Sequence, residues 1–151
     1  MEKDLIDFFE HLSCPKVNGI IFPNGDIELI DVKIDWNQKK HILEKKGKIT
    51  VDFLEKNNNL FWSDCAILNS IEDKGVLVVS GESDYGSDGF VAVLNLSTKE
   101  LKWIAFFDSS NPFDNLRLVG NSLYAISTSN YVWEFNLDNP TDISISWKEE
   151  G

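Results

Sequence analysis

The sequence has little of several things, and each scarcity excludes something. Two cysteines, Cys14 and Cys65, are too few for the disulfide framework of a small secreted domain. Two histidines, His11 and His41, leave scant material for a metal centre. No apolar run approaches the roughly 18 residues that a membrane-spanning helix needs. The opening Met1-Glu2-Lys3-Asp4 has neither the basic nor the apolar region of a signal peptide. A cytoplasmic chain with no membrane segment is therefore expected.

Positive charge is the other scarcity. Twenty-five Asp and Glu stand against 14 Lys and Arg, a net charge of −11. A surface that tracks phosphate backbones needs Lys and Arg to displace counterions, so direct nucleic-acid binding is not expected. The imbalance is greater in residues 76 to 151, whose basic side chains are three lysines and the sole arginine, Arg117. What the chain does have is enough apolar material for a core: 42% of its 151 residues are hydrophobic, which suits one domain spanning residues 1–151.

Residues 3 to 13 place Leu5, Phe8, Phe9 and Leu12 at helical spacing, so the chain is expected to open with one short amphipathic helix ended by Pro15. The period then changes to two. Val17–Phe22 and Ile27–Trp36 flank Pro23-Asn24-Gly25-Asp26, whose Asn-Gly step suits a tight hairpin. Gln38–Lys48 is Lys-rich and fits either a short helix or a polar edge strand. Ile49, Val51 and Phe53 alternate with polar residues as a strand would, and Leu60–Leu68 returns after Asn57-Asn58-Asn59.

Val76–Val79 is a continuous apolar run that suits a strand buried on both faces. Phe90–Leu96, Leu101–Phe107, Leu116–Val119, Leu123–Ser127, Tyr131–Leu137 and Ile143–Trp147 continue the series, with turn residues between them. The expected fold is mainly β, an antiparallel meander that bends into a sandwich or partial barrel, with one short N-terminal α-helix.

Gly89-Phe-Val-Ala-Val-Leu-Asn-Leu-Ser-Thr-Lys-Glu-Leu-Lys-Trp103, followed by Asn121–Ser127 and Tyr131–Leu137, resembles the repeat of quinoprotein-type β-propellers. In that repeat a strand ends in Asp/Asn-Leu, a Thr-Gly-Lys turn follows, and Trp lies in the next strand. The likeness covers residues 74 to 137 and implies blade-like hairpins. A closed propeller takes at least about four blades of about 40 residues, more than this chain provides. Glu100 also replaces the glycine that the family's turn prefers, and no cofactor site follows from the likeness.

No motif names a reaction, and the chain is not expected to be an enzyme. His11 and Cys14 are three apart and could pair a thiolate with a base, but buried structural roles are the simpler reading, as for Cys65 within its strand. The segment Gly81-Glu82-Ser83-Asp84-Tyr85-Gly86-Ser87-Asp88-Gly89 is the least ordinary. Its three acids and three glycines are expected to form an exposed, adaptable loop. The spacing of Glu82, Asp84 and Asp88 lacks the EF-hand order, so neither calcium nor any other metal or cofactor is expected.

Asp108-Ser-Ser-Asn-Pro-Phe-Asp114 is a second acidic loop, and a meander of even hairpins can bring it to the same end as the first. Glu82, Asp84, Tyr85, Asp88, Asp108 and Asp114 are the candidate partner-binding residues, with Tyr85 as the aromatic anchor. The lysines at 39, 40, 45, 46 and 48 read as a solvated segment.

Small size, acidity and the lack of catalytic motifs resemble, by type, the immunity proteins that bacteria make against secreted or contact-delivered toxins. The resemblance implies a basic protein toxin, such as a nuclease domain, as the partner. An alternative is a carbohydrate-binding or glycoside-acting module using the five tryptophans, Trp36, Trp62, Trp103, Trp133 and Trp147, with carboxylates such as Asp84 and Asp88. A third reading is a scaffold piece of a larger propeller-like assembly. Trp133 shares its strand face with Tyr131, Phe135 and Leu137, the pattern of a core side.

Overall fold

Alternating hydrophobicity becomes strands in the computed structural model, which describes residues 5–35, 37–83 and 86–147; twelve strands and two short helices lie wholly within the described residues. In chain order these are α1 (Phe8–His11), β1 (Ser13–Pro15), β2 (Gly19–Ile21), β3 (Asp26–Asp35), β4 (Lys40–Thr50), α2 (Val51–Lys56) and β5 (Trp62–Asp73). There follow β6 (Val76–Ser83), β7 (Gly89–Asn95), β8 (Leu101–Phe107), β9 (Phe113–Val119), β10 (Ser122–Ser127), β11 (Tyr131–Asn136) and β12 (Ile143–Trp147).

Every pairing is antiparallel, in two sheets. The larger has the order β1-β5-β6-β7-β8-β2-β3-β4, and the smaller is β12-β11-β10-β9. Strands β1 and β2 lie on opposite sides of the four-strand block β5 to β8, yet only residues 16 to 18 separate them in the chain. Four Cα steps, from 15 to 19, reach roughly 15 Å. The large sheet must therefore curl until its flanks approach, and the result is a half-barrel.

Both faces of the curled sheet are buried along its central strands, which explains the unbroken apolar runs in β6, β7 and β8. One face carries Leu77, Val79, Phe90, Leu94, Ile104 and Phe106 and is filled by Leu5 and Phe8 of the N-terminal segment and Val51 of α2. The other carries Val78, Val91, Val93, Trp103 and Phe107 and packs on the small sheet through Phe113, Leu123, Tyr131, Trp133 and Phe135. Trp133 is the hub of this second core, its ring 4.7 Å from Phe107 and 5.5 Å from Phe113. Its indole N–H meets no acceptor among the described residues.

The first hairpin follows its Asn-Gly signal. Asn24 Oδ1 accepts from the Asp26 amide at 2.9 Å, Gly25 sits at φ 95°, and Gly25 N donates to the Phe22 carbonyl. The expected N-terminal helix is interrupted by a turn at Asp7, with residues 5 and 6 helical before it and Phe8–His11 after it; it ends where Leu12 turns left-handed at φ 50° and its carbonyl accepts from Cys65 N, leading the chain into β1. Residues 3 and 4 of the expected helix, and Trp36 of the expected second strand, lie outside the described residues.

Residues 51–56 correct another expectation. The alternation of Ile49, Val51 and Phe53 reads as a strand, but Thr50 Oγ1 caps the Phe53 amide at 3.0 Å and α2 begins at Val51. Val51 and Leu54, three apart, turn toward one core while Phe53 faces solvent. Of the two readings open for Gln38–Lys48, the polar edge strand is the observed one: β4 is the exposed outer strand of the large sheet.

Candidate functional site

The two acidic loops reach the same end of the molecule because β6 and β8 run parallel to each other through their common neighbour β7. They are also joined. Asn111 N donates to the Ser87 carbonyl at 2.8 Å, and Thr128 N donates to the Pro112 carbonyl at 2.9 Å. Three connections, β6–β7, β8–β9 and β10–β11, thus stand in a hydrogen-bonded row over the ends of both sheets.

Two of the loop glycines are there for close approach rather than flexibility. A Cβ at Gly89 would run into the Asn111 carbonyl and the Ser110 side chain, and one at Gly81 into the Ala66 carbonyl beside the β-bulge of β5. Gly86, in contrast, has open space around it. The segment from 81 to 89 is accordingly less loop than expected: residues 81 to 83 belong to β6 and Gly89 to β7.

The candidate acids separate into different environments. Asp108 is exposed and clasped by Asn18, whose Oδ1 accepts from the Asp108 amide at 2.8 Å while its Nδ2 donates to Asp108 Oδ1 at 3.1 Å. Asp114 is exposed at the start of β9, on a polar depression of about 350 Å³ shared with Asn115, Thr128 and Asn130. Glu82 is half-buried on β6. Asp84 and Tyr85 lie outside the described residues.

Asp88 corrects the expectation of a displayed carboxylate. It is only 2% exposed and accepts a 2.6 Å hydrogen bond from Ser83 Oγ. Its charge points inward, where a buried carboxylate needs donors rather than a partner's cations. Beneath it lie the two cysteines. The Cys65 sulfur contact, then burial, then the charges of Cys65 and Asp88 push the Cys14 thiol well above its ordinary range. A thiol so shifted is the opposite of an activated nucleophile, and exposed His11 does not share its buried site. Asp7, Glu10 and His11 do approach one another, but on a four-residue helix and in the open.

Ion pairs join Lys46 to Glu44, Lys48 to Glu28 and Lys56 to Asp52, all between residues 28 and 56. Among the described residues neither Asp108 nor Asp114 has a cation within pairing distance. Trp103 and Trp133 are core residues, while Trp62 and Trp147 are half-buried, with Trp147 against Tyr131 and under the Lys39 ammonium.

Asn18 was not legible as a site residue: an Asn in a short loop carries no sequence signal for a partner 90 positions away. The chain matches no protein-family model, and it matches no curated protein.

Proposed function

We propose that this chain is an immunity-type protein that acts by binding, not catalysis, and neutralises a cognate basic toxin, with a nuclease domain as the expected target. The observation that carries the reading is the unneutralised pair Asp108 and Asp114 on interlocked loops at one end of the molecule. Lys46, Lys48 and Lys56 are paired with acids elsewhere, on β4 and α2. Acids with no cation beside them among the described residues draw a basic surface over distance, and a carboxylate held before encounter, as Asp108 is by Asn18, loses little side-chain freedom on docking.

In this mechanism Asp108 and Asp114, with Glu82 at the margin, occupy the toxin's Lys and Arg that otherwise hold substrate phosphates; Asp84 and Tyr85 are proposed to join them from the sequence alone. Asp88 serves by anchoring the base of its loop through Ser83. The setting is the cytoplasm of the producing cell. A sugar-binding module is the weaker alternative, since it would need an open tryptophan platform and Trp103 and Trp133 are spent in the core.

The test is co-expression with the toxin domain encoded beside the gene, followed by growth and pull-down assays. Wild-type chain is expected to protect and co-purify. Asp108→Asn with Asp114→Asn is expected to slow association at least about tenfold and flatten its salt dependence. A chain that binds no neighbouring gene product, or protects equally well without both carboxylates, removes the proposal.

A further inference from the structure

The small sheet has one face in the core and one toward solvent. Alternation along its strands turns Leu123, Ala125 and Ser127 of β10 inward and leaves Ser122, Tyr124 and Ile126 outward. Antiparallel register then fixes what stands beside them. Arg117 lies opposite Tyr124, and Tyr124 lies opposite Glu134. The central row of the outer face therefore reads cation, aromatic, anion across three strands. Val119 and Ser122 form the row on one side, and Ile126 with Val132 the row on the other.

This face is more apolar than a solvated sheet face requires. Val119 is 51% exposed, and Arg117, Val119, Tyr124, Ile126 and Val132 line a shallow concavity of about 360 Å³. Ser122 Oγ donates to Glu134 Oε2 at 3.1 Å, which holds that carboxylate in place. Arg117 makes no ion pair among the described residues, in a chain where acids outnumber cations 25 to 14.

The row is self-complementary. A two-fold axis lying in the plane of the interface, parallel to β10 and passing over Tyr124, carries Arg117 of one copy onto Glu134 of the other, and the reverse contact forms at the same time. We propose that a second copy of this chain docks on this face, as a symmetric dimer with Tyr124 meeting Tyr124 at the centre and two Arg117–Glu134 pairs flanking it. The apolar residues Val119, Ile126 and Val132 close around the aromatic pair. Such an interface is isologous by construction, and its Tyr and Arg are the residue types that most often anchor interfaces.

Charge selects this occupant over others. A basic partner of the kind proposed above would meet Arg117 head on, whereas a purely acidic one would meet Glu134. Only a surface with the same pattern reversed matches both, and the chain itself supplies one. Four strands about 4.8 Å apart and six residues long give roughly 400 Å² of sheet face per copy, less than a permanent dimer buries and of the size of a weak, transient contact. The dimer is therefore reversible and concentration-dependent. This inference does not rest on toxin binding, although the two surfaces adjoin: Ile126 lines both this concavity and the depression beside Asp114.

Sedimentation velocity of the full chain over a concentration series tests it. The wild-type chain is expected to pass from monomer to dimer as concentration rises. Arg117→Glu and Glu134→Arg, each bringing like charges together twice, are expected to weaken the dimer at least about tenfold. Mixing the two variants is expected to restore association as a heterodimer, since each then meets its opposite across the axis. The near-ultraviolet circular dichroism of the packed aromatic residues reports whether each variant keeps its core. A wild-type chain that stays monomeric throughout, single variants that dimerise as well as wild type, or folded variants that fail to associate when mixed would each overturn the proposal.

Discussion

Cys14 Sγ and Cys65 Sγ lie 3.6 Å apart in a buried contact where β1 meets β5. The sulfur contact, burial and the charges of Cys65 and Asp88 all act in one direction and hold the proton on Cys14. The folded chain keeps the Cys14 thiol protonated at a pH where the unfolded chain has lost the proton. Stability linked to this group is thus intact below about pH 9.0, its ordinary value, and falls as pH rises above it. Urea denaturation at a series of pH values should show the decline in wild type and a shallower one in Cys14→Ala. Native thiols should also react slowly with an aromatic disulfide reagent until denaturant is added.

The Asn18–Asp108 clasp predicts a local effect. Asn18→Ala removes two hydrogen bonds to an exposed loop and should cost about 1 to 2 kcal/mol. Hydrogen exchange is expected to quicken at residues 108–111 and not in β6 or β7. If the loop is a docking element, toxin association should slow in the same variant while Asp108 itself is intact.

Three glycines of one segment should respond differently to the same substitution. Gly81→Ala and Gly89→Ala each push a methyl group into backbone carbonyls and should lose about 2 kcal/mol or more. Gly86→Ala meets nothing and should be neutral or slightly stabilising. Equal losses at all three positions, read from chemical denaturation midpoints, would contradict the close-approach explanation.

Strand β4 is a long outer edge defended by lysines and by a bulge at Gly47, where φ is 103° and the register with β3 shifts. These are the devices that keep edge strands from pairing with other chains. Replacing Lys45, Lys46 and Lys48 together by Thr should leave the monomer folded and raise its tendency to form ordered aggregates. Light scattering with thioflavin fluorescence at equal concentration will measure it. This association is open-ended and distinguishable from the closed dimer through Arg117 and Glu134.

Much of the architecture was legible because the signals were local. The Asn24-Gly25 turn, the apolar run at Val76–Val79 and the inward set Tyr131, Trp133 and Phe135 each follow from residues within a few positions of one another. Residues 49–53 misled because two periods overlap there: Val51 and Phe53 fit a strand, and Val51 with Leu54 fits a helix that Thr50 caps.

The candidate site was half legible. That two acidic loops share an end follows from hairpin parity, but their joining through Asn111 and Ser87 does not. Nor could a sequence foretell that Asp88 turns inward, since its donor Ser83 sits in the preceding strand and looks like one more loop hydroxyl. The curl of the large sheet was equally hidden, because β2 finds β8 across more than 80 residues of chain.

That last pairing bears on how the molecule is made. A ribosome delivers β2 and the hairpin of β3 and β4 early, yet the edge they join is completed only when Phe107 has emerged. Until then β2 carries an open strand edge whose native partner has not been made, while the lysines and bulge of β4 guard the opposite edge of the same three strands in the unfinished molecule as in the finished one. Folding of this fold should be slow for its length, since the contact that closes the curl is also among the most distant in sequence.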